Sequence, residues 1–202
     1  MYPFLETILQ KDAQMPLLER HIERLKQTCR VHQLCLPDLT AIFDHLHEIR
    51  GTGATEKVRL FYGNGIFKIE SQPYHIRSIR NLKLITNENL RYPFKSVRRE
   101  VLEQLQKEAG KHNEVLIVQK KLFTDASYAN VACWDGATWW TPKEPLLKGV
   151  RRAALLEEGR IQEARIGPGD LFGIQKIALI NGMLDLGEQE IETAQLIQES
   201  LG

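Results

Sequence analysis

The chain has 202 residues, 43% hydrophobic and 26% charged, with a net charge of +1. That length supports one large domain or two smaller ones. With no acidic tail and no long basic stripe there is no nucleic-acid footprint, and no apolar run approaches the roughly 20 residues that span a bilayer.

The first residues, MYPFLETILQKDAQ, lack the basic start and apolar core of a signal peptide. Cys29, Cys35 and Cys133 form no CxxC pair, and the odd count reads as reduced thiols in a cytoplasmic protein. Residues 3–9, PFLETIL, alternate as a strand. A helix follows from about Pro16, with Leu18, Ile22, Leu25 and Cys29 on one face. A second helix opens at Asp38, a good cap, and carries Ile42, Leu46 and Ile49. His45 and His47 point to different sides of it, which suits solvated side chains better than a shared metal.

Gly51-Thr52-Gly53 ends the helical pair, and the period then changes to two. Glu56–Tyr62 and Gly65–Glu70 alternate around Gly63-Asn64-Gly65, a hairpin turn sequence. Tyr74–Ile85 reads as a further long strand, and the polar Thr86-Asn87-Glu88-Asn89 marks a domain boundary. The division is therefore 1–86, an α+β unit, and 87–202. In the second part, strands are expected at Glu114–Val118, Val131–Trp134, Ala137–Thr141 and Ile161–Ile166. Gly149 leads into a helix closed by Gly159, and Leu171–Ile180 is mostly apolar. Glu188–Leu201 has Ile191, Ala194 and Ile197 at helical spacing and predicts a final amphipathic helix.

Chemistry centres on Arg91-Tyr92-Pro93-Phe94-Lys95-Ser96-Val97-Arg98-Arg99. Proline biases Tyr92 toward an extended backbone. Val97, Val101, Leu105 and Ala109 predict a helix from just after Lys95 to Gly110. A lysine held among apolar groups at such a joint loses solvation of its charged form and becomes a usable amine nucleophile. Left in water, it is an ordinary solvated charge. Three other features bear on it. Asp125, in TDASYAN, is either a turn aspartate or a carboxylate able to hold a protonated ring nitrogen. Gly149-Val150-Arg151 at a helix start offers free N–H groups and a dipole to a phosphate. Arg24, beside the apolar stripe of the first helix, suits bidentate phosphate contact or surface snorkelling. Together these groups describe a pyridoxal 5'-phosphate site as one candidate among several.

The order HIERL, a lysine before a helix with Arg99 four residues on, D-A-S-Y-A-N, a TP loop, LLKG-V-R-R and a late N-G resembles the class IV aminotransferases. These are the fold-type-IV pyridoxal phosphate enzymes, among them branched-chain and D-amino-acid aminotransferases and aminodeoxychorismate lyases. The resemblance runs from FLETI to NGM. It implies a two-domain α+β fold, with a small α+β domain, a larger β-rich domain carrying the lysine, and the cofactor in the cleft between them. Lys95 then matches the Schiff-base lysine, Asp125 the partner of the pyridine nitrogen, and Arg24 the arginine on the phosphate. Val150 and Arg151 match the backbone amides on that phosphate, and Asn181 and Gly182 fall near a further phosphate-side loop. Arg59 lies where the family meets substrate carboxylates. Asp125 stands in place of the family's usual glutamate, Arg151 in place of a frequent threonine, and Glu100 in place of the branched-chain enzymes' tyrosine. The implied activity is transamination of an amino acid or amino compound. The alternatives are an aminodeoxychorismate lyase releasing pyruvate and 4-aminobenzoate, and a cofactor-free binding or regulatory relative of the fold. Relatives are usually homodimers acting on small amino substrates, with no metal, nucleic acid or membrane partner, and the same is expected here.

Overall fold

The computed structural model describes residues 2–50 and 55–198. The expected break at Gly51-Thr52-Gly53 therefore lies outside the described residues. The chain divides into two compact units, Met1–His75 with Phe94–Arg98, and Ile76–Pro93 with Arg99–Gly202.

The first unit packs helices on a three-stranded antiparallel sheet. Strand β1 (Phe4–Gln10) pairs with β2 (Glu56–Tyr62), which pairs with β3 (Phe67–Pro73). The Gly63–Gly65 turn joins β2 to β3, with Gly65 at φ +72°, where only glycine is unstrained. Helix α1 (Leu18–Val31) presents Leu18, Ile22, Leu25 and Cys29 to Phe4, Ile8, Val58, Leu60 and Tyr62. Helix α2 (Leu39–Arg50) adds Ile42 and Leu46. Asp38 caps it, its Oδ1 accepting the N–H groups of Thr40 and Ala41. Each of these buried aliphatic side chains contributes about 1.5–3 kcal/mol. β1 alternates strictly, and its inward residues are Phe4, Glu6, Ile8 and Gln10, all buried. Two polar side chains thus enter the core.

The second unit is built on a nine-stranded mixed sheet among the described residues. Strand β4 (Asn81–Thr86) pairs parallel with β5 (Asn113–Gln119), and helix α3 (Glu100–Ala109) lies between them in the chain. Antiparallel strands follow: β6 (Leu122–Ala126), β7 (Asn130–Trp134) and β8 (Trp139–Pro142). Helix α4 (Val150–Glu157) precedes β9 (Gln162–Ala164), and β10 (Lys176–Ile180) and β11 (Glu190–Glu192) extend the sheet beyond β7.

Four expectations differ from this structure. Only the end of the expected Tyr74–Ile85 strand is extended pairing, as β4. Residues 76–86 group with the second unit, because β4 bonds β5, whereas Lys95 groups with the first. The helix after Lys95 begins five residues later, at Glu100. The reason lies in hydrogen bonding. Leu5 N–H donates to the Lys95 carbonyl at 3.1 Å and Val97 N–H donates to the Pro3 carbonyl at 2.9 Å, so this backbone is committed to the edge of β1. The helix consequently buries Leu102, Leu105 and Ala109, and leaves Val97 and Val101 exposed. The last expected helix is instead β11, a single 3-10 turn and β12 (Leu196–Gln198). Ile191 sits opposite Ile177, and β12 pairs parallel with β4, so open sheet edges override the helical spacing.

Candidate active site

In the first unit the site is assembled on β1. Phe94–Arg98 runs along its edge, with Ser96 bridged to Phe4. Phe94 and His32 meet edge to face with ring centroids 4.5 Å apart, which fixes the segment from the side chains as well. Lys95 is half-buried in this position. Two residues along β1 from Phe4, on the inward face, is Glu6. Its carboxylate accepts from Arg24 Nε at 2.9 Å and also from Arg24 Nη2, a two-pronged ion pair. It also accepts from His21 Nδ1 at 2.7 Å.

Burial works to raise the Glu6 pKa. The Arg24 charge and the hydrogen bonds from His21 and Arg24 outweigh it and hold the carboxyl at about 2. The His21 pKa is lowered as well, chiefly by burial of the ring, with the Arg24 and Lys95 charges adding to the effect and Glu6 opposing it. A neutral imidazole donating from Nδ1 keeps a lone pair on Nε2, and that atom is buried without a partner among the described residues. Arg59, on β2, is engaged by its cross-strand neighbours: Nη2 lies 3.2 Å from Glu70 and 3.3 Å from Gln72.

The second unit gathers the remaining expected residues. Asp125 sits inside β6, opposite Asn130 on β7, and is buried. Asn130 Nδ2 donates to its Oδ1 at 2.7 Å, and the Leu147 N–H donates to its Oδ2 at 2.9 Å. Burial drives its pKa up, and these neutral donors and the Arg152 charge offset that only in part, so it stands at about 7. Asn130 Nδ2 also donates to the Leu147 carbonyl, fixing the loop before α4. Gly149 is the N-cap of α4, and a methyl group there would overlap Asn130 Oδ1. Among the described residues no side chain caps this helix, so its first-turn N–H groups, at the buried Val150 and Arg151, and its positive dipole end are of the kind that attracts an anion. The Arg151 side chain turns to Asp185, with Nη1 3.2 Å from Oδ2. Asn181 and Gly182 form the turn after β10. Asn181 Oδ1 accepts the Met183 N–H at 2.7 Å, and its Nδ2 donates to the Tyr128 carbonyl at 3.2 Å.

Two carboxylates escaped sequence reasoning. Glu6 was legible in principle, because the alternation of FLETILQ puts it on the face of Phe4 and Ile8. Glu114, on β5, is buried and accepts the Ser127 N–H at 3.1 Å, holding the Asp125 loop. Nothing in its run of apolar neighbours announces that role. Arg99 Nη2 donates to the Ser127 carbonyl at 3.0 Å.

Comparison with known proteins gives this arrangement a lineage. A protein of Haemophilus influenzae strain Rd, uncharacterised, is 26% identical over 187 residues, which is 91% of this chain and 98% of that protein. A crystal structure from Haemophilus somnus 129PT, provisionally named 4-amino-4-deoxychorismate lyase, superposes with a TM-score of 0.85 at 27% identity, covering 92% of this chain and 98% of that one. A Mycobacterium tuberculosis protein described as a hypothetical aminotransferase, in its PLP-bound form, shares the fold at 20% identity and a TM-score of 0.80, covering 96% and 81% of the two chains. The family model for amino-transferase class IV matches residues 4–187, and the chain belongs to that family.

Proposed function

We propose that this chain is a pyridoxal-phosphate-dependent enzyme that transfers the amino group of an amino acid or related amine, with Lys95 as the covalent anchor. The family match over residues 4–187 supports the reaction class. The observation that carries the residue assignment is the seating of Lys95 on β1, the strand whose Glu6 binds Arg24. Each group found here fits one part of the cofactor. The first turn of α4 suits a phosphate dianion, as does the Arg24 guanidinium. A buried carboxylate with a pKa near 7 is one that a protonated pyridine nitrogen would hold ionised. Asn181 and Gly182 would shape the loop on the phosphate side.

Bound pyridoxal phosphate supplies an electron sink for a carbanion at the amino-bearing carbon. The chain's own residues do the rest. Asp125 would hold the protonated ring nitrogen. The Lys95 amine would take the proton from the amino-bearing carbon of the substrate and deliver it to the cofactor's carbon, the transfer that amino-group exchange requires. Arg59 meets a substrate carboxylate, which must displace Glu70 from the guanidinium.

A lyase is the second reading, favoured by the name carried by the Haemophilus somnus structure. It would begin with the same proton transfer and end by releasing pyruvate and 4-aminobenzoate. The test is direct. Pyridoxal phosphate is added to purified protein, excess is removed, and the retained absorbance is measured. Amino acid and keto acid pairs are then offered in one set, and aminodeoxychorismate in another. Amino transfer supports the first reading, and pyruvate with 4-aminobenzoate the second. A protein that retains no cofactor sinks both. No helix among the described residues is long and apolar enough to cross a membrane. A homodimer in the cytoplasm belongs to the same reading, and light scattering on the loaded protein tests the dimer.

A further inference from the structure

We propose that Glu6 is the positioning residue for the phosphate end of this site, acting through Arg24. The proposal rests on the reading of Arg24 as a phosphate ligand. The carboxylate occupies the Nε–Nη2 edge of the guanidinium, so two of the five donors are fixed and the plane of the fork is set. Glu6 itself cannot swing. It is fully buried on the inward face of β1, with a second anchor in His21 Nδ1. Arg24 is held near the core with its side chain only 15% exposed. The same strand takes the backbone of Lys95 one residue away, through the Leu5 N–H. β1 thus spaces the amine anchor and the guanidinium from one rigid element.

Two effects of Glu6 on a bound phosphate oppose each other. Its negative charge repels the dianion, and its grip keeps the guanidinium oriented. Orientation wins here for a geometric reason. Without a carboxylate, the arginine is a long side chain that regains its rotamer freedom, and solvent lies within its reach. A glutamine at position 6 cannot replace the carboxylate, since its amide N–H groups would face Nη2 or Nε.

The experiment compares pyridoxal phosphate with pyridoxal, which lacks the phosphate, on the full chain. Wild type prefers pyridoxal phosphate. Glu6→Gln weakens pyridoxal phosphate at least about tenfold while pyridoxal changes less than about threefold. Arg24→Lys reduces the preference to what the first turn of α4 supplies, and Glu6→Gln adds nothing further in that background. If Glu6→Gln lowers both ligands equally, leaves both unchanged or tightens pyridoxal phosphate, the positioning role is overturned. A second measurement needs no variant. The Arg24 Nε–H resonance of wild type is expected to keep its Glu6-bonded shift when pyridoxal phosphate binds, and its loss would overturn the proposal whether or not Glu6→Gln folds. Wild type without any preference between the two ligands refutes the Arg24 reading itself, and it does so before any variant is made.

Discussion

The substitution Asp125→Asn removes a buried charge while keeping its shape, and the structure sets the size of the effect. Burial raises the pKa from 3.8 to about 7. That is roughly a thousandfold change in the ionisation constant, or about 4 kcal/mol. The sign follows from which form the fold prefers. The folded protein favours the neutral acid, so the associated stability is fully present below pH 3.8 and is lost as the pH rises through about 7. The asparagine variant carries no charge at this position and so lacks this dependence. Its cost lies elsewhere, because one of the two donors now on Asp125, Asn130 Nδ2 or the Leu147 N–H, must face the new amide hydrogens. That mismatch costs about 1–3 kcal/mol. The cofactor-free variant is therefore expected to be less stable than wild type at about pH 3.5 and more stable at about pH 8, with the curves crossing between about pH 4.5 and 6. Urea denaturation of both proteins across this range measures the difference directly. A difference that stays constant with pH would refute the reasoning. Pyridoxal phosphate should flatten the wild-type curve, since a cation on Asp125 stabilises the ionised form.

Gly149→Ala is expected to cost about 1–3 kcal/mol through overpacking, because the new methyl displaces Asn130 from Asp125 and Leu147. Thermal melts measure the cost, and cofactor affinity should fall with it. Leu105→Ala on α3 should cost about 2–5 kcal/mol, whereas Val101→Ala should stay within about 0.5 kcal/mol. Equal effects from the two would contradict the observed face of that helix. Arg59→Gln should raise the KM for a carboxylate substrate more than it lowers kcat, and an unchanged KM would remove Arg59 from the substrate site.

Local rules read the first unit well. The turn Gly63-Asn64-Gly65, the Asp38 cap and the stripe from Leu18 to Cys29 each depend on neighbours in the chain, and each lies where its spacing puts it. The failures all involve partners distant in sequence. Val97 to Ala109 has good helical spacing, yet the chain at the start of that run bonds Pro3 and Leu5, some ninety positions away. Ile191, Ala194 and Ile197 likewise keep helical intervals, but strands β10 and β4 take that part of the chain as pairing partners. Among the candidate site residues, Lys95, Asp125 and Gly149 stand out in the sequence because a motif marks each one. Glu114 is not marked in this way, and for Glu6 the alternation of β1 gives the face but not the role, since a carboxylate in an apolar strand has meaning only once its arginine or its loop N–H is in place.

The assignment on which the rest depends is Lys95 as the covalent anchor of pyridoxal phosphate. Borohydride reduction of the loaded protein, followed by peptide mass mapping, tests it most directly. A single reduced adduct is expected on the peptide carrying Lys95, and none in Lys95→Ala. An adduct on another lysine in wild type, or no adduct at all, would contradict it.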